Sequence, residues 1–347
     1  MRSPAAWLEA RLRRSWVRPH GGIAGFGEVL FGSTVELRHL LYDAGVVIPV
    51  VAPLPIISIG GLTVGGSGKT PITSQVAGWL AGAAHRVAVL TRGFPDEMAV
   101  HRELNPAVLV FGHPSRCVAA RTAARAGAEI ALLDDGFQHR RLRRDLEIVL
   151  VDIEALASAS RRYLPAGPFR ERFGRLARAD ILVIVQRTGD AVRSVPLARW
   201  LVSRFRAIPV VRCRIRPGPL APANRAASLL GRAEPAVALA GIMKPRLFFR
   251  QLRQRVPGIE WELPLRDHQA PSERQLDLCV ARAGGRGIVC TLKDVVKLRA
   301  RIPEETPLWY VPERVVWDEG QELLRARIRA LVPRRRGLGD ACGRNGV

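Results

Sequence analysis

Apolar runs alternate with mixed polar segments along most of the chain and predict an α/β protein. Six short runs lie between Pro55 and residue 216, most of them separated by stretches with helical spacing. These runs cover residues 56–59, 86–90, 107–111, 129–133, 146–151 and 180–185. Strands of a parallel sheet read as continuous apolar runs because helices cover both faces of the sheet. The pattern therefore predicts a mostly parallel sheet domain over 55–216 with helices on both faces.

A second, smaller α/β domain is predicted over residues 235–333. The segment 217–234 is rich in Pro, Gly and Ala, and we interpret it as a linker. Four further apolar runs then predict strands over 236–240, 259–263, 287–290 and 308–311. Residues 334–347 are rich in Arg and Gly and predict a disordered tail.

Residues 1–54 predict a basic, amphipathic N-terminal arm. Leu8, Leu12 and Trp16 recur at four-residue spacing with charged residues between them. This spacing suits a helix that lies on a membrane surface, and equally a helix that docks on its own domain. A second segment, 26–42, again mixes large apolar residues with basic ones. The apolar stretch 45–62 contains three prolines and predicts a loop and a core strand, not a membrane span.

The charge balance narrows the class of partner. The chain has 54 basic and 31 acidic residues among 347, a formal net charge of +23. Such an excess favours nucleic acid, an anionic membrane or a phosphorylated substrate. With three tyrosines and basic residues spread along the whole chain, no aromatic and basic platform stands out, and we expect no nucleic-acid partner. The five cysteines are far apart, which argues for a reducing compartment and against zinc.

The strongest chemical signal is the sequence GGLTVGGSGKTP at 60–71, directly after the first apolar run. Its residues Gly65, Gly66, Ser67 and Gly68 would close backbone N–H groups on phosphate oxygens. Lys69 would reach the β- and γ-phosphates, and Thr70 would ligate Mg²⁺. The first glycine of the strict phosphate-loop pattern falls on Thr63, so the loop is a variant. The segment predicts a nucleoside triphosphate site.

Two carboxylates follow the fourth apolar run. Asp134 and Asp135 end this run, and ligands of open α/β sheets bind at the carboxyl ends of strands. In phosphate-loop folds a neighbouring strand delivers an acid to Mg²⁺ at this edge. An ordinary Asp-Gly turn is the alternative interpretation.

Several motifs around these residues resemble one family. They are Asp-Asp-Gly-Phe-Gln-His at 134–139, Arg-Asp-Leu-Glu-Ile-Val-Leu-Val-Asp at 144–152, Leu-Pro-Ala-Gly-Pro-Phe-Arg-Glu at 164–171 and Thr-Leu-Lys-Asp-Val-Val-Lys at 291–297. In this order and spacing they resemble the signatures of the tetraacyldisaccharide 4'-kinases, which phosphorylate the lipid A precursor. The variant phosphate loop also has the form found in that family. Matches run from about residue 40 to residue 312.

The resemblance implies ATP and Mg²⁺ as cosubstrate and cofactor, and an acylated disaccharide 1-phosphate as acceptor. It implies a peripheral enzyme on the anionic, cytoplasmic face of the inner membrane. Asp96 would act as the base together with His268 from the second domain, and Glu97, Asp134 and Asp135 would lie at the metal. Substrate contacts would come from Arg116, Gln138, His139, Arg170 and Glu171. Lys293 and Asp294 open a predicted helix, and we interpret them as structural first.

The chain departs from the family between two motifs. Thr91-Arg-Gly-Phe94 runs directly into Pro95-Asp96-Glu97, without the longer insert that family members have, and Pro95 replaces a glycine. The position of Asp96 relative to the acceptor is therefore the point that the resemblance leaves open. Two rival hypotheses are a basic, nucleic-acid-associated or chaperone-like NTPase switch and a membrane-bound scaffold that binds nucleotide without transfer.

Overall fold

Two sheets organise the protein in a computed structural model that describes residues 23–157, 162–189, 194–230 and 233–332. The strands are β1 Ile56–Gly61, β2 Val87–Thr91, β3 Leu109–Gly112, β4 Ile130–Asp134, β5 Leu146–Asp152, β6 Ile181–Gln186, β7 Val210–Pro217, β8 Ala221–Pro222, β9 Val237–Ala240, β10 Trp261–Pro264, β11 Ile288–Thr291, β12 Leu308–Val311 and β13 Glu313–Glu319. The helices are α1 Ile23–Asp43, α2 Lys69–Gly82, α3 Pro95–Leu104, α4 Arg116–Arg125, α5 Ile153–Ala157, α6 Ser194–Arg204, α7 Arg225–Leu229, α8 Pro245–Arg253, α9 Glu273–Ala283, α10 Leu292–Leu298 and α11 Gln321–Arg329, with a 3₁₀ turn at Phe173–Arg178. The predicted α/β class, a large parallel sheet with a smaller second one, is confirmed.

The larger sheet has the strand order β13-β7-β6-β5-β1-β4-β2-β3. Every neighbouring pair is parallel except β7 and β13. β1 lies between β4 and β5, and Ile59 is opposite Asp134 in this register. The loop after β1 and the carboxylates after β4 therefore leave the sheet side by side, at the edge where parallel α/β sheets bind ligands.

Helices cover both faces of this sheet, as the apolar runs predict. β1, β2, β4, β5 and β6 are buried along their whole lengths. Ile72, Val76 and Leu80 of α2 pack on one face, and small alanine side chains of α4 pack on the other. Burying these side chains on two faces stabilises the sheet by roughly 1.5–3 kcal/mol for each large aliphatic residue.

The second sheet has the order β10-β9-β11-β12-β8, with only β8 antiparallel. Its core is a separate cluster that includes Leu239, Leu276, Ile288 and Leu308. The segment 217–234, interpreted from the sequence as a linker, contributes β8 and α7 to this unit. Asn224 caps α7 through a hydrogen bond that its side chain accepts from Ala227 N–H.

The chain returns to the first sheet near its end, which corrects the predicted extent of the second domain. β13 pairs with β7, and Leu324 and Ile328 of α11 join the core of the first unit. Both strands were missed in the sequence because they carry arginine and glutamate between apolar positions. These charges pair across the strands, as Arg212 does with Glu319. An edge pair of this kind lacks the continuous apolar run of a buried strand.

The N-terminal helix α1 presents an unusual face to solvent. Phe26, Leu30, Leu37 and Leu40 are each more than half exposed. Its acidic residues instead hold it to the first unit: Glu28 pairs with Arg162, Glu36 with Arg175 and Asp43 with Arg140. His39 is fully buried on the same inner side.

Within the described ranges, no helix is both long enough and apolar enough to cross a bilayer. The predicted helix over 5–17 and the predicted tail over 334–347 lie outside those ranges.

Candidate active site

The phosphate loop joins β1 to α2. Gly65 and Gly68 both adopt positive φ, 77° and 85°, a conformation that residues with a Cβ rarely adopt. A Cβ on Gly68 would also lie 2.1 Å from Cδ1 of Ile215. Lys69 is the first residue of α2, and its Nζ donates to Ser67 Oγ at 3.1 Å. The loop therefore places one ammonium at a helix N-terminus, where the partial positive charge of unpaired backbone N–H groups favours phosphate.

Asp134 is held at the end of β4 by three side chains. Thr70 Oγ1 donates to its Oδ2 at 3.2 Å, and Thr73 Oγ1 donates to its Oδ1 at 3.3 Å. His101 Nε2 lies 2.9 Å from Oδ2 and donates to it, since a carboxylate only accepts. The contact between Thr70 and Asp134 directly joins two of the four predicted metal residues.

Asp135 carries the densest positive surroundings of the site. Arg170 Nη1 donates to both of its carboxylate oxygens, at 2.9 and 2.8 Å, and Lys69 Nζ lies 3.5 Å away. Burial alone would raise the pKa of Asp135, but the charges of Lys69 and Arg170 outweigh it and hold the pKa well below its usual range. Asp135 is therefore ionised at neutral pH and tethers Arg170 beside the loop lysine.

Asp96 and His268 meet across the two units despite the short connection before α3. Asp96 lies in the first turn of α3, where the helix dipole favours a carboxylate. Its Oδ2 accepts from Nδ1 of His268 at 2.8 Å. Burial raises the pKa of Asp96, yet the hydrogen bond from His268 and nearby lysine charges bring it below the usual value. Phe94, the residue just before α3, packs its ring 5.2 Å from the imidazole.

A cleft of about 130 Å³ lies between the phosphate loop and His268, and Asp96 adjoins it through its contact with His268. Its walls include Lys69, Thr70, Arg92, Phe94, Glu97, Arg116, Asp134, Asp135, Arg170 and His268. Burial and the negative charge of Asp134 raise the pKa of Glu97. A larger cavity of about 790 Å³ lies at Phe248 and Arg255 in the second unit, and no predicted site residue lines it. The smaller cleft is the chemically equipped one.

Of the five predicted substrate residues, Arg116 and Arg170 line the cleft, whereas Gln138, His139 and Glu171 do not. Arg116 is buried and reaches the cleft, and burial together with the charge of Arg92 lowers its pKa. His139 lies among Arg116, Arg144 and Arg38, and burial with these charges lowers its pKa to about 4, so the ring is neutral at pH 7.

Gln138 accepts from Arg170 at 3.1 Å and donates to Gly61 O at 2.9 Å, so it connects Arg170 to the end of β1. Glu171 is oriented away from the cleft walls. Its carboxylate is buried, accepts from Arg178 at 3.0 Å and lies 3.2 Å from Nε2 of His39. Glu171 thus connects α1 to the Arg170 turn.

His101, which is 1% exposed, is a residue of the site that the sequence analysis missed. Its Nδ1 lies 3.1 Å from Ser74 Oγ while its Nε2 bonds Asp134. The available signal is spacing: His101 follows Glu97 by four residues and so lies on the same face of α3. A polar residue one helical turn beyond a predicted metal residue marks a candidate partner.

Comparison with known proteins supports the resemblance seen in the sequence. The family model described as Tetraacyldisaccharide-1-P 4'-kinase matches residues 27–106 and 96–332. A tetraacyldisaccharide 4'-kinase of Halorhodospira halophila is 34% identical, covering 94% of this chain and 95% of that protein. One from Anaeromyxobacter sp. strain K is also 34% identical, covering 85% and 87%.

A solved structure shares the fold. The crystal structure of "apo" form LpxK from Aquifex aeolicus in complex with ATP superposes with a TM-score of 0.68 at 24% identity. The alignment covers 94% of this chain and 100% of the other. The family predicted from the sequence is confirmed: this chain belongs to the tetraacyldisaccharide-1-P 4'-kinase family.

Proposed function

We infer that the protein transfers the γ-phosphate of ATP to the 4'-hydroxyl of a tetraacyldisaccharide 1-phosphate. Family membership supports the reaction class. The observation that carries the assignment to this site is the pair of Asp96 and His268. Their 2.8 Å contact joins the two units beside the phosphate loop, where an acceptor hydroxyl must lie to meet a bound triphosphate.

The triphosphate lies on the loop in this proposal. Backbone N–H groups of Gly66 to Gly68 and the N-terminus of α2 bind its phosphate oxygens. Lys69 neutralises the charge between the β- and γ-phosphates. Arg92, Arg116 and Arg170 surround the same cleft and supply charge where the transferred group is most negative. Binding of the triphosphate draws Lys69 from its present contacts with Ser67 and Asp135.

The residues beside the loop fit Mg²⁺ as phosphate-loop proteins use it. Among the described residues no cluster of three or more His, Cys, Asp or Glu side chains forms a metal cage. Mg²⁺ needs none, because it is bound through one or two protein oxygens together with substrate phosphates and water. Thr70 and Asp134, in contact at 3.2 Å, would hold it, with Asp135 and Glu97 nearby. When bound, the ion neutralises charge on the β- and γ-phosphates.

Asp96 accepts the proton of the acceptor hydroxyl. As the hydroxyl oxygen bonds to the γ-phosphorus, the bond from that phosphorus to the β,γ-bridging oxygen breaks and ADP leaves with the electron pair. The hydroxyl proton passes to the carboxylate of Asp96. Nδ1–H of His268 holds that carboxylate in place through its hydrogen bond, and such acid–base assistance contributes typically 10²–10⁴-fold.

The exposed face of α1 supports a peripheral position on the cytoplasmic face of the inner membrane. The side chains of Phe26, Leu30, Leu37 and Leu40 form an apolar strip, and Val46, Ile48 and Val51 extend it beyond the helix with exposures of 66–80%. Contiguous exposed apolar surface of this kind marks an interaction site. The net charge of +23 adds attraction to anionic lipids that hold the acylated substrate.

A transfer assay tests this function directly. The protein is incubated with γ-labelled ATP, Mg²⁺ and the lipid disaccharide 1-phosphate in detergent, beside Lys69→Ala. Label in the lipid with the wild type and none with the variant is the expected result. ATP turnover that is stimulated by nucleic acid and leaves the lipid unlabelled would instead support the rival NTPase switch, which the family match does not favour.

A further inference from the structure

We propose that Lys293 is a positioning residue for the acceptor-activating pair: its ammonium donates to Nε2 of His268 and so fixes the imidazole in the tautomer that holds Asp96. The sequence pattern alone made Lys293 a structural residue of the predicted helix. The proposal rests on the proposed function for its catalytic consequence, but the contact itself is independent of it.

The tautomer follows from the two neighbours of the ring. Nδ1 of His268 lies 2.8 Å from a carboxylate oxygen of Asp96, which can only accept. Nε2 lies 2.9 Å from Nζ of Lys293, which as an ammonium can only donate. One nitrogen must therefore carry the proton and the other must offer its lone pair. Lys293 and Asp96 together select the neutral Nδ1–H imidazole.

Lys293 is itself held firmly. Its Nζ also donates to Oδ1 of Asp267 at 3.2 Å, and the side chain is 24% exposed. It is the second residue of α10, close to the positive end of the helix dipole, where a cation is unfavourable. A cation that is kept at an unfavourable helix position, and that binds a neighbouring side chain through its charge, is typical of a functional site.

His268 is held on its remaining sides as well. Its backbone has a φ of 62°, in the left-handed region, and its N–H donates to Gly241 O at 3.2 Å. Phe94 packs against the ring face at 5.2 Å. These contacts fix where the ring lies but leave either tautomer open. Lys293 lies within hydrogen-bond distance of Nε2, at 2.9 Å, whereas Oδ1 of Asp267 is 3.9 Å from the same nitrogen, too far for a hydrogen bond.

The consequence falls on Asp96. Lys297 Nζ lies 3.8 Å from Oδ2 of Asp96, the same oxygen that accepts from His268. Among the described residues Oδ1 has no hydrogen bond, so it is the oxygen offered to the acceptor hydroxyl. With the opposite tautomer, lone pairs of Nδ1 and Oδ2 would face each other, and Asp96 would turn away. Lys293 therefore affects transfer through His268 rather than by touching substrate.

The test combines histidine ¹⁵N spectroscopy with steady-state kinetics of Lys293→Met. Methionine keeps the length of the side chain but has neither charge nor donor. The His268 signal is identified by its absence from the spectrum of His268→Asn. In the wild type it should show a protonated Nδ1 and an unprotonated Nε2. In Lys293→Met the two tautomers should mix, and kcat should fall about tenfold to a hundredfold, which reaches only the lower end of the roughly 10²–10⁴-fold range for acid–base assistance because Lys293 acts indirectly. The KM for ATP should change less than about twofold.

Two further variants make the result decisive. Arg253 at the end of α8 pairs with Glu262 of β10 on the surface, and Arg253→Met, which removes one positive charge there, should keep the wild-type kcat and tautomer. The double variant Lys293→Met, His268→Asn should be no slower than His268→Asn alone, because both changes act through one group. Lys293→Arg, which keeps a donor, should retain most of the kcat that the methionine variant loses.

Several results would overturn the proposal. An unchanged His268 spectrum in Lys293→Met refutes the contact, and additive losses in the double variant refute a role through His268. If Lys293→Met unfolds, the wild-type spectrum alone decides: a protonated Nε2 of His268 would refute the proposal. A wild type that labels no lipid removes the proposed function instead, and the spectra then still decide the tautomer.

Discussion

Replacing His101 by leucine should lower the free energy of unfolding measurably, although leucine has a side chain of similar size. His101 is 1% exposed and donates from Nε2 to Asp134 at 2.9 Å. A hydrogen bond to a charged group contributes about 1.5–3 kcal/mol. The buried hydroxyl of Ser74 also loses its partner at 3.1 Å, while added apolar burial offsets part of the loss. We expect the free energy of unfolding to fall by roughly 2 kcal/mol.

Urea unfolding of His101→Leu beside His85→Leu measures this effect. His85 lies 3.2 Å from Glu129 in a partly exposed pair, so the same substitution there should cost less than about 1 kcal/mol. Because Asp134 would be held by Thr70 and Thr73 alone, the Mg²⁺ concentration for half-maximal activity should also rise in His101→Leu. Equal losses of stability in the two variants, with unchanged Mg²⁺ dependence, would refute the assigned role of His101.

Three other predictions concern separate parts of the molecule. Gly68→Ala, at a φ of 85°, should abolish measurable ATP binding by calorimetry, and wild-type affinity would show that the loop tolerates a Cβ there. Leu30→Ser with Leu37→Ser should reduce cosedimentation with anionic vesicles without lowering the free energy of unfolding; unchanged cosedimentation would count against the apolar strip. The Arg299 contact lowers the pKa of Glu103, so its stabilisation is present at pH 7 and disappears as the pH falls through the lowered pKa. Glu103→Gln should therefore cost less than about 1 kcal/mol at pH 7 and progressively less as the pH falls through the lowered pKa, and a cost that stays constant during acid titration would contradict this.

Much of the fold follows from the sequence because buried parallel strands have a simple signature. The ten predicted strands correspond to β1–β6 and β9–β12. β7 escaped notice because Arg212, Arg214 and Arg216 alternate with its apolar residues. The acidic partners of Arg212 and Arg214 lie about a hundred residues later, in β13. Short-range pattern cannot reveal such a pairing. For the same reason, the return of the chain to the first sheet could not be read from composition.

The site was predictable where local motifs carry chemistry, and less so where distant residues meet. The phosphate loop and the carboxylates of Asp134 and Asp135 follow from strand ends and glycine spacing. The pairing of Asp96 with His268 came from the family resemblance, and the structure brings them to 2.8 Å although the insert before α3 is absent. His101 and Lys293 act through contacts across the fold, and their types are common on any helix. Their three-dimensional contacts are what distinguish them from solvated side chains.

The most direct test of the proposed reaction is the rate of label transfer from ATP to the lipid disaccharide 1-phosphate by Asp96→Asn. Asparagine keeps the shape of the side chain but cannot accept the hydroxyl proton as a carboxylate does. The variant should bind ATP with wild-type affinity and transfer label at least about a hundredfold more slowly. Transfer at the wild-type rate by Asp96→Asn would contradict the role of Asp96, and no transfer by the wild type would contradict the function itself.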